Sequence, residues 1–409
     1  MAERRGCTQC GSCVNTCPVY AHTRREEATP KAKQELLALL ARKDGTDTRP
    51  VPVLGEGEDI GVRALLRLAN RCVCCERCLA VCPRGLSVPE VLNEARARHP
   101  VWQQMAWKRW IGAGDLLWPV ARAAAPLFPA SLLPARLSIM RAQAGAMAEQ
   151  APVEPWIELA RDAPDVLAGR DVTLFGGCTA TRLRPSWMAK ARRALGRLGG
   201  HVVDGRGFGC CGGTFEHGGL PDAAAKAAAG NVAAWRALGR PLMAVFCASC
   251  LHALTGYARR EGLFTDEGEA ARWQAALTPL STLLAKAPLR ATGKAPAVPL
   301  YHSPCHWGKK DPDFVWLRAV LPGITKGRAL CCGFGGIVQL MDPAMSRAIA
   351  QNCWDGLAAA RDSAVAQDTA DKAGAPLMAV TGCSGCALQL RASAPQGARA
   401  LHWLDTLNV

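Results

Sequence analysis

At 409 residues the chain has material for two or three domains with packed cores, and no signal peptide fits ahead of a first motif that begins at Cys7. Twenty cysteines would mean a disulfide framework only in a short secreted protein; here they fall in metal-ligand spacings that need a reducing compartment, so we expect a cytoplasmic protein. The net charge of +15 suggests nucleic acid, but three Tyr, eight Phe and no dense basic run interleaved with aromatics exclude that class in favour of a solvated basic face.

Residues 1–100 open and close on the same motif. Cys7, Cys10, Cys13 and Cys17-Pro18 make one C-x2-C-x2-C-x3-C-P run, and Cys72, Cys75, Cys78 and Cys82-Pro83 make another. This is the bacterial ferredoxin spacing for cubane [4Fe–4S] clusters, in which three thiolates wrap one cluster and the fourth reaches the other. One cluster is therefore expected on Cys7, Cys10, Cys13 and Cys82, the second on Cys72, Cys75, Cys78 and Cys17. C-x2-C pairs also make structural zinc sites, the minority alternative. Between the runs, helical periodicity predicts a helix over 31–43, opened by Pro30, then a Gly/Pro-rich loop and a second helix over 58–71. The unit resembles the α-helical ferredoxin domain in iron–sulfur subunits of succinate dehydrogenase and related complexes. Cys74 and Cys353 lie outside every ligand pattern and read as small buried hydrophobes.

Residues 101–165 form an amphipathic linker rich in Trp and Pro. Trp102, Trp107, Trp110 and Trp118 cluster among Lys108, Arg109, Arg122, Arg136 and Arg141, while Pro119, Pro126, Pro129 and Pro134 are expected to break the segment into short pieces. Asp115 and Arg122 interrupt the best spanning candidate. Such a segment either lies in a membrane interface, through 101–141, or packs on the next domain or a partner.

An internal repeat follows, with copies expected over 166–290 and 291–409. The first carries Cys178 after a strand-like run, then Cys210-Cys211-Gly, then Cys247-x2-Cys250; the second carries Cys305, then Cys331-Cys332-Gly, then Cys383-x2-Cys386. Pro-Leu-Met-Ala-Val recurs at 241–245 and 376–380, ahead of each C-x2-C. Helical stretches over 187–198, 221–238, 313–321 and 343–360 alternate with the strands, which predicts an α/β domain with parallel sheets and ligands at the strand carboxyl ends. Facing lobes would bring ten cysteines to one interface. His217, His252, His302 and His306 lie nearby, and His306 reads first as a hydrogen-bonded turn histidine. Gly207-Phe-Gly209-Cys-Cys-Gly212 fits a dinucleotide fingerprint, but the cysteine pair fills its variable positions and no acidic residue follows at ribose distance, so we reject a nucleotide there.

The doubled Cys…Cys-Cys-Gly…Cys-x2-Cys pattern resembles the cysteine-rich CCG domain of heterodisulfide reductase subunits and of the iron–sulfur subunits of glycolate oxidase and anaerobic glycerol-3-phosphate dehydrogenase. The order of ferredoxin unit, linker and two repeats matches almost end to end, and 385–390 with 401–404 look most like the glycolate oxidase subunit. The resemblance implies an iron–sulfur centre, possible in non-cubane [4Fe–4S] form, on Cys178, Cys210, Cys211, Cys247 and Cys250, and another on Cys305, Cys331, Cys332, Cys383 and Cys386. In the second copy 25 and 50 residues separate the motif parts, against 31 and 35 in the first, the excess reading as a polar insertion at 361–374. The function implied is electron transfer from an FAD-containing 2-hydroxyacid dehydrogenase subunit, which carries the flavin, to a quinone or other carrier. The alternatives are a catalytic heterodisulfide reductase subunit and a glycerol-3-phosphate dehydrogenase subunit.

Overall fold

The computed structural model describes residues 6–45, 61–160, 165–328, 330–367 and 376–409. Up to residue 156 the described residues form helices and no strands. Pro30 sits at the first turn of the helix Pro30–Lys43, and the Thr29 hydroxyl accepts from the Ala32 amide at 3.2 Å. Proline lacks only an N–H that a helix start leaves unpaired, and the hydroxyl satisfies another. Leu36, Leu37 and Leu40 on this helix pack against Leu65 and Ala69 of Val62–Ala69 and Leu92 of Val88–Arg98. Each buried leucine contributes roughly 1.5–3 kcal/mol. The expected second helix is thus found from residue 62; its start at 58–60 and the loop before it lie outside the described residues.

Three helices, Trp102–Gly112, Gly114–Ala124 and Ala135–Ala146, carry the linker. Pro119 does not break the second of them. It lies on an exposed face, so the carbonyl one turn back, on exposed Asp115, can turn to water. The inner face packs down: Trp107 Nε1 donates to Thr214 Oγ1 at 3.0 Å and Gln104 Nε2 to the Gly218 carbonyl at 2.8 Å; on the outside, Arg182 pairs with exposed Asp115 at 2.8 Å. Among the described residues no helix is long and apolar enough to cross a membrane.

The remainder is a duplicated α/β structure. Strand β1 (Ile157–Leu159) precedes β2 (Asp171–Phe175), β3 (His201–Val203), β4 (Leu242–Val245) and β5 (Leu277–Pro279); β6 (Leu289–Ala291) leads to β7 (Leu300–His302), β8 (Thr325–Lys326), β9 (Met378–Thr381), β10 (Arg399–His402) and β11 (Leu407–Asn408). The first repeat orders its strands β3-β2-β4-β5 and the second β8-β7-β9-β10, all parallel. These are the same topology. Successive residues of β4 point to opposite faces, Leu242 and Ala244 into one core and Met243 and Val245 into another. Both faces are buried, which is why the strands read as unbroken apolar runs. Each core draws on both repeats: Leu174 and Trp187 share one with Tyr301, Trp316 and Trp403. The helix expected over 343–360 continues to Gln367, so the second-copy insertion begins as helix, and 368–375 lie outside the described residues. A third sheet, β11-β1-β6, takes one strand from before, between and after the repeats.

Candidate metal centres

In a parallel sheet of this order the first and third strands leave in opposite directions, opening a crevice at their carboxyl ends. Every motif cysteine of the repeats sits there. Cys178 follows β2, Cys210 and Cys211 follow β3, and Cys247 and Cys250 follow β4, with Cys305, Cys331, Cys332, Cys383 and Cys386 placed alike after β7, β8 and β9. All ten line a single cavity of about 1280 Å³. Gly177 makes this possible in the first repeat. It holds φ at +64°, and a Cβ there would lie 2.8 Å from Cys250 Sγ.

The thiols form one continuous file. Along it Cys211, Cys247 and Cys332 are each held below the ordinary thiol value by neighbouring thiol donors: Cys210 and Cys250 for Cys211, Cys250 and Cys383 for Cys247, Cys331 and Cys386 for Cys332. Cys332 and Cys386 sulfurs are 3.1 Å apart. The file crosses between repeats at Cys247 and Cys383, where the Ala248 amide donates to the Gly382 carbonyl at 2.9 Å and Ser249 Oγ lies 2.8 Å from Cys383 Sγ. It leaves the second repeat through Cys331, which raises Cys75 of the N-terminal unit and Cys305.

The two N-terminal runs turn at matching positions. Gln9 and Cys74 hold φ at 56° and 49°, and Gly11 and Glu76 at 76° and 55°. A left-handed non-glycine residue costs roughly 1–2 kcal/mol, so these loops are held by their surroundings. The cysteines gather in two groups. Burial raises the Cys13 thiol, and the charges of Cys7, Cys10 and Cys82 raise it further. Burial likewise raises Cys17 and Cys78, each also acted on by Cys72 and Cys75, while buried Lys33 pulls Cys17 back. The first group is the more open, with Cys10 exposed.

The structure gives the histidines distinct settings. His252 stacks on His306 with ring centroids 4.6 Å apart, His217 lies 6.0 Å from His306, and His252 Nε2 meets Glu76 at 3.1 Å. Burial opposes ionisation of Glu76, yet the His252 contact holds its carboxyl down to about 2. Burial lowers His217 to about 3 and His306 to about 4. His306 is the turn residue expected, with a backbone contact at Cys74, though its Nε2 is buried with no partner among the described residues. Lys309 and Lys310 are exposed. Cys353 is more than a packing residue, since its sulfur lies 3.3 Å from His302 Nδ1. The signal for it is a position-by-position comparison of the two copies. Cys74, fully buried, accepts from Arg96 Nη1 at 3.7 Å.

Thiol sulfur packed inside an apolar interior is a donor set for soft metals, for iron–sulfur clusters or zinc, and offers nothing suited to magnesium or calcium. The residues fit iron–sulfur clusters. Comparisons with known proteins agree. A family model described as "4Fe-4S dicluster domain" matches residues 3–86, and the "Cysteine-rich domain" model (CCG) matches 172–255 and again 300–391. The chain is 23% identical to the glycolate oxidase iron-sulfur subunit of Escherichia coli, over 98% of this chain and 92% of that one. It is 24% identical to a probable glycolate oxidase iron-sulfur subunit of Bacillus subtilis, over 99% and 93%. It is also 25% identical to a subunit of the dihydromethanophenazine:CoB–CoM heterodisulfide reductase of Methanosarcina acetivorans, over 86% and 83%.

Proposed function

Because this chain belongs to the iron–sulfur electron-transfer proteins built from a 4Fe-4S dicluster domain and two cysteine-rich CCG domains, we propose that it is the electron-transfer subunit of a flavin-dependent 2-hydroxyacid dehydrogenase of glycolate or lactate type. Cys7, Cys10, Cys13 and Cys82 would hold one cubane cluster in an α-helical ferredoxin-like unit, and Cys17, Cys72, Cys75 and Cys78 the other. The five cysteines of each repeat would hold a further centre, in non-cubane form. When bound, such clusters accept and release one electron at a time with little change in bonding.

The continuous file of sulfurs carries this reading. It would link the buried second set to the second repeat through Cys75 and Cys331, and the second repeat to the first across Cys247 and Cys383, with the open first set in the same N-terminal unit as the second. Both ends of the order are accessible. Cys10 reaches solvent at one end, and the cavity extends from the repeat cysteines to Trp110, Phe128, Leu137 and Met140 at the other. An apolar approach to a redox centre suits a quinone. The exposed face of the same helices carries Trp102, Leu116, Val120, Leu127 and Leu132, each more than 60% exposed, beside Arg122 and Arg136. That surface supports peripheral contact with the inner face of the cytoplasmic membrane. The flavin would reside on a separate FAD-containing subunit.

Anaerobic pull-down from the native host, with assay of released flavin, tests the proposal. A flavoprotein in equal amount, active on a 2-hydroxyacid, is expected. A brown chain that returns alone and turns over disulfides would favour the heterodisulfide reductase reading, whose specific support is a cavity reaching both repeats at the Cys247–Cys383 seam. A flavoprotein active only on glycerol 3-phosphate would move the assignment to that dehydrogenase.

A further inference from the structure

The two repeats are not equivalent inside. Three residues before its first cysteine the first repeat has Phe175, and the second has His302. The residues paired with them on the neighbouring strand are Val245 and Thr381. After the first cysteine of each C-x2-C the first repeat has Ala248 and the second Ser384. Twenty-one residues beyond each Cys-Cys pair stand Val232 and Cys353. Four apolar positions have thus become polar; Thr381 and Cys353 adjoin His302, while Ser384 lies against Cys247 of the first repeat.

None of these polar groups reaches solvent: His302 is 2% exposed, Thr381 1%, Ser384 3% and Cys353 2%. His302 Nδ1 has Cys353 Sγ at 3.3 Å, while His302 Nε2, Thr381 Oγ1 and Ser384 Oγ have no hydrogen-bond partner among the described residues. A buried polar atom without a partner costs about 1–3 kcal/mol, so His302 Nε2 and its neighbour Thr381 Oγ1, both unpartnered among the described residues, signal a missing occupant. A ring nitrogen of His302 and the sulfurs of Cys332 and Cys386 all lie within 4.8 Å of one another. Of the described histidines, cysteines and acids, this is the set compact enough to share one metal ion.

We propose that the metal centre of the second repeat is a mixed nitrogen–thiolate site, with a ring nitrogen of His302 ligating iron beside Cys332 and Cys386, whereas the centre of the first repeat is held by thiolates alone. The proposal rests on the iron–sulfur reading above and adds to it a ligand of a different element. The Cys353 sulfur, beside the ring's Nδ1, fixes the tautomer and ring orientation, as outer partners of ligating histidines commonly do. A neutral imidazole brings no negative charge to iron where a thiolate would, so a centre with a nitrogen ligand has a higher reduction potential than one held by thiolates alone. The second repeat would then be the more oxidising of the two and would hold the electron longer.

The test is nitrogen hyperfine spectroscopy on the dithionite-reduced, anaerobically purified full chain, with His302→Phe, which copies the first repeat, and His302→Cys, which keeps a ligand. The expected result is a strong ¹⁴N coupling in the native protein that disappears in both variants. In His302→Cys one centre should also titrate at lower potential, the others unchanged and iron content retained. A native protein with full iron and no strong ¹⁴N coupling overturns the proposal. So does a coupling that survives in His302→Cys, which also covers the case of a His302→Phe that fails to fold. A native chain that binds no iron would fail the iron–sulfur reading itself, a result told apart by metal analysis before any spectrum is taken.

Discussion

The two repeats share a strand order, a pair of cores and a cysteine pattern, yet they hold their ligands by different means. The first repeat brings Cys250 close by putting Gly177 where the second has Pro304. It begins the next helix at Arg184, whose guanidinium binds the carbonyls of Ala146, Met147 and Ala148 in the linker. The second begins that helix at Asp311, which accepts from the Phe314 amide at 3.1 Å and from Tyr301 Oη at 2.9 Å. One copy is therefore tied outward to the linker helices and the other inward to its own sheet. Duplication preserved the scaffold and left the surroundings of each site free to diverge, as expected where chemistry is grafted on a fold.

Removing a file member from each copy should separate the two sites most sharply. Cys211→Ser and Cys332→Ser should each abolish one centre, read as a matching loss of iron and of visible absorbance, with the ferredoxin-type signals kept. If either variant emptied both repeats, the copies would be one site and the contrast would fall.

Asp313 offers the next largest effect, since its counterpart in the first repeat is Ser186. Burial pushes its carboxyl up to about 8 from an ordinary value of 3.8. The folded chain keeps this proton and the unfolded chain releases it, so stability falls as pH rises from about 4 to about 8. The slope is at most about 1.4 kcal/mol per pH unit. Asp313→Asn should flatten that slope in denaturant titrations taken between pH 5 and 8, and an unchanged slope would place the ionised acid in the fold.

Gly177→Ala should cost about 1–3 kcal/mol through its left-handed backbone and the clash with Cys250. Iron loss should be confined to the first repeat. The smallest effect belongs to the seam: Ser249→Ala, which makes its position more like Gly385 of the other copy, should lower stability by about 1 kcal/mol. Thermal unfolding measures both.

The ligand cysteines and the helix starts are legible in the sequence because each is written locally, in spacings of two or three residues or in a proline after a capping residue. The strand positions follow from the repeated Pro-Leu-Met-Ala-Val. What spacing cannot express is which residues of distant segments meet. Cys353 reads as packing because His302 is 51 residues away. Nothing local to Glu76 marks its contact with His252, which comes from the first repeat. Pro119 departs from expectation for a related reason: whether a proline breaks a helix depends on which side of it faces water.

The three-stranded sheet β11-β1-β6 has a consequence for the order of events in assembly. Ile157 pairs with Leu407 and Ala291, so closing this sheet joins positions 250 residues apart. Contacts of such separation form late, because the loop they close must first be ordered. Until then each repeat can form its own four-stranded sheet from nearer contacts. The small sheet is thus a late tie between the chain's distant parts rather than the nucleus on which they form.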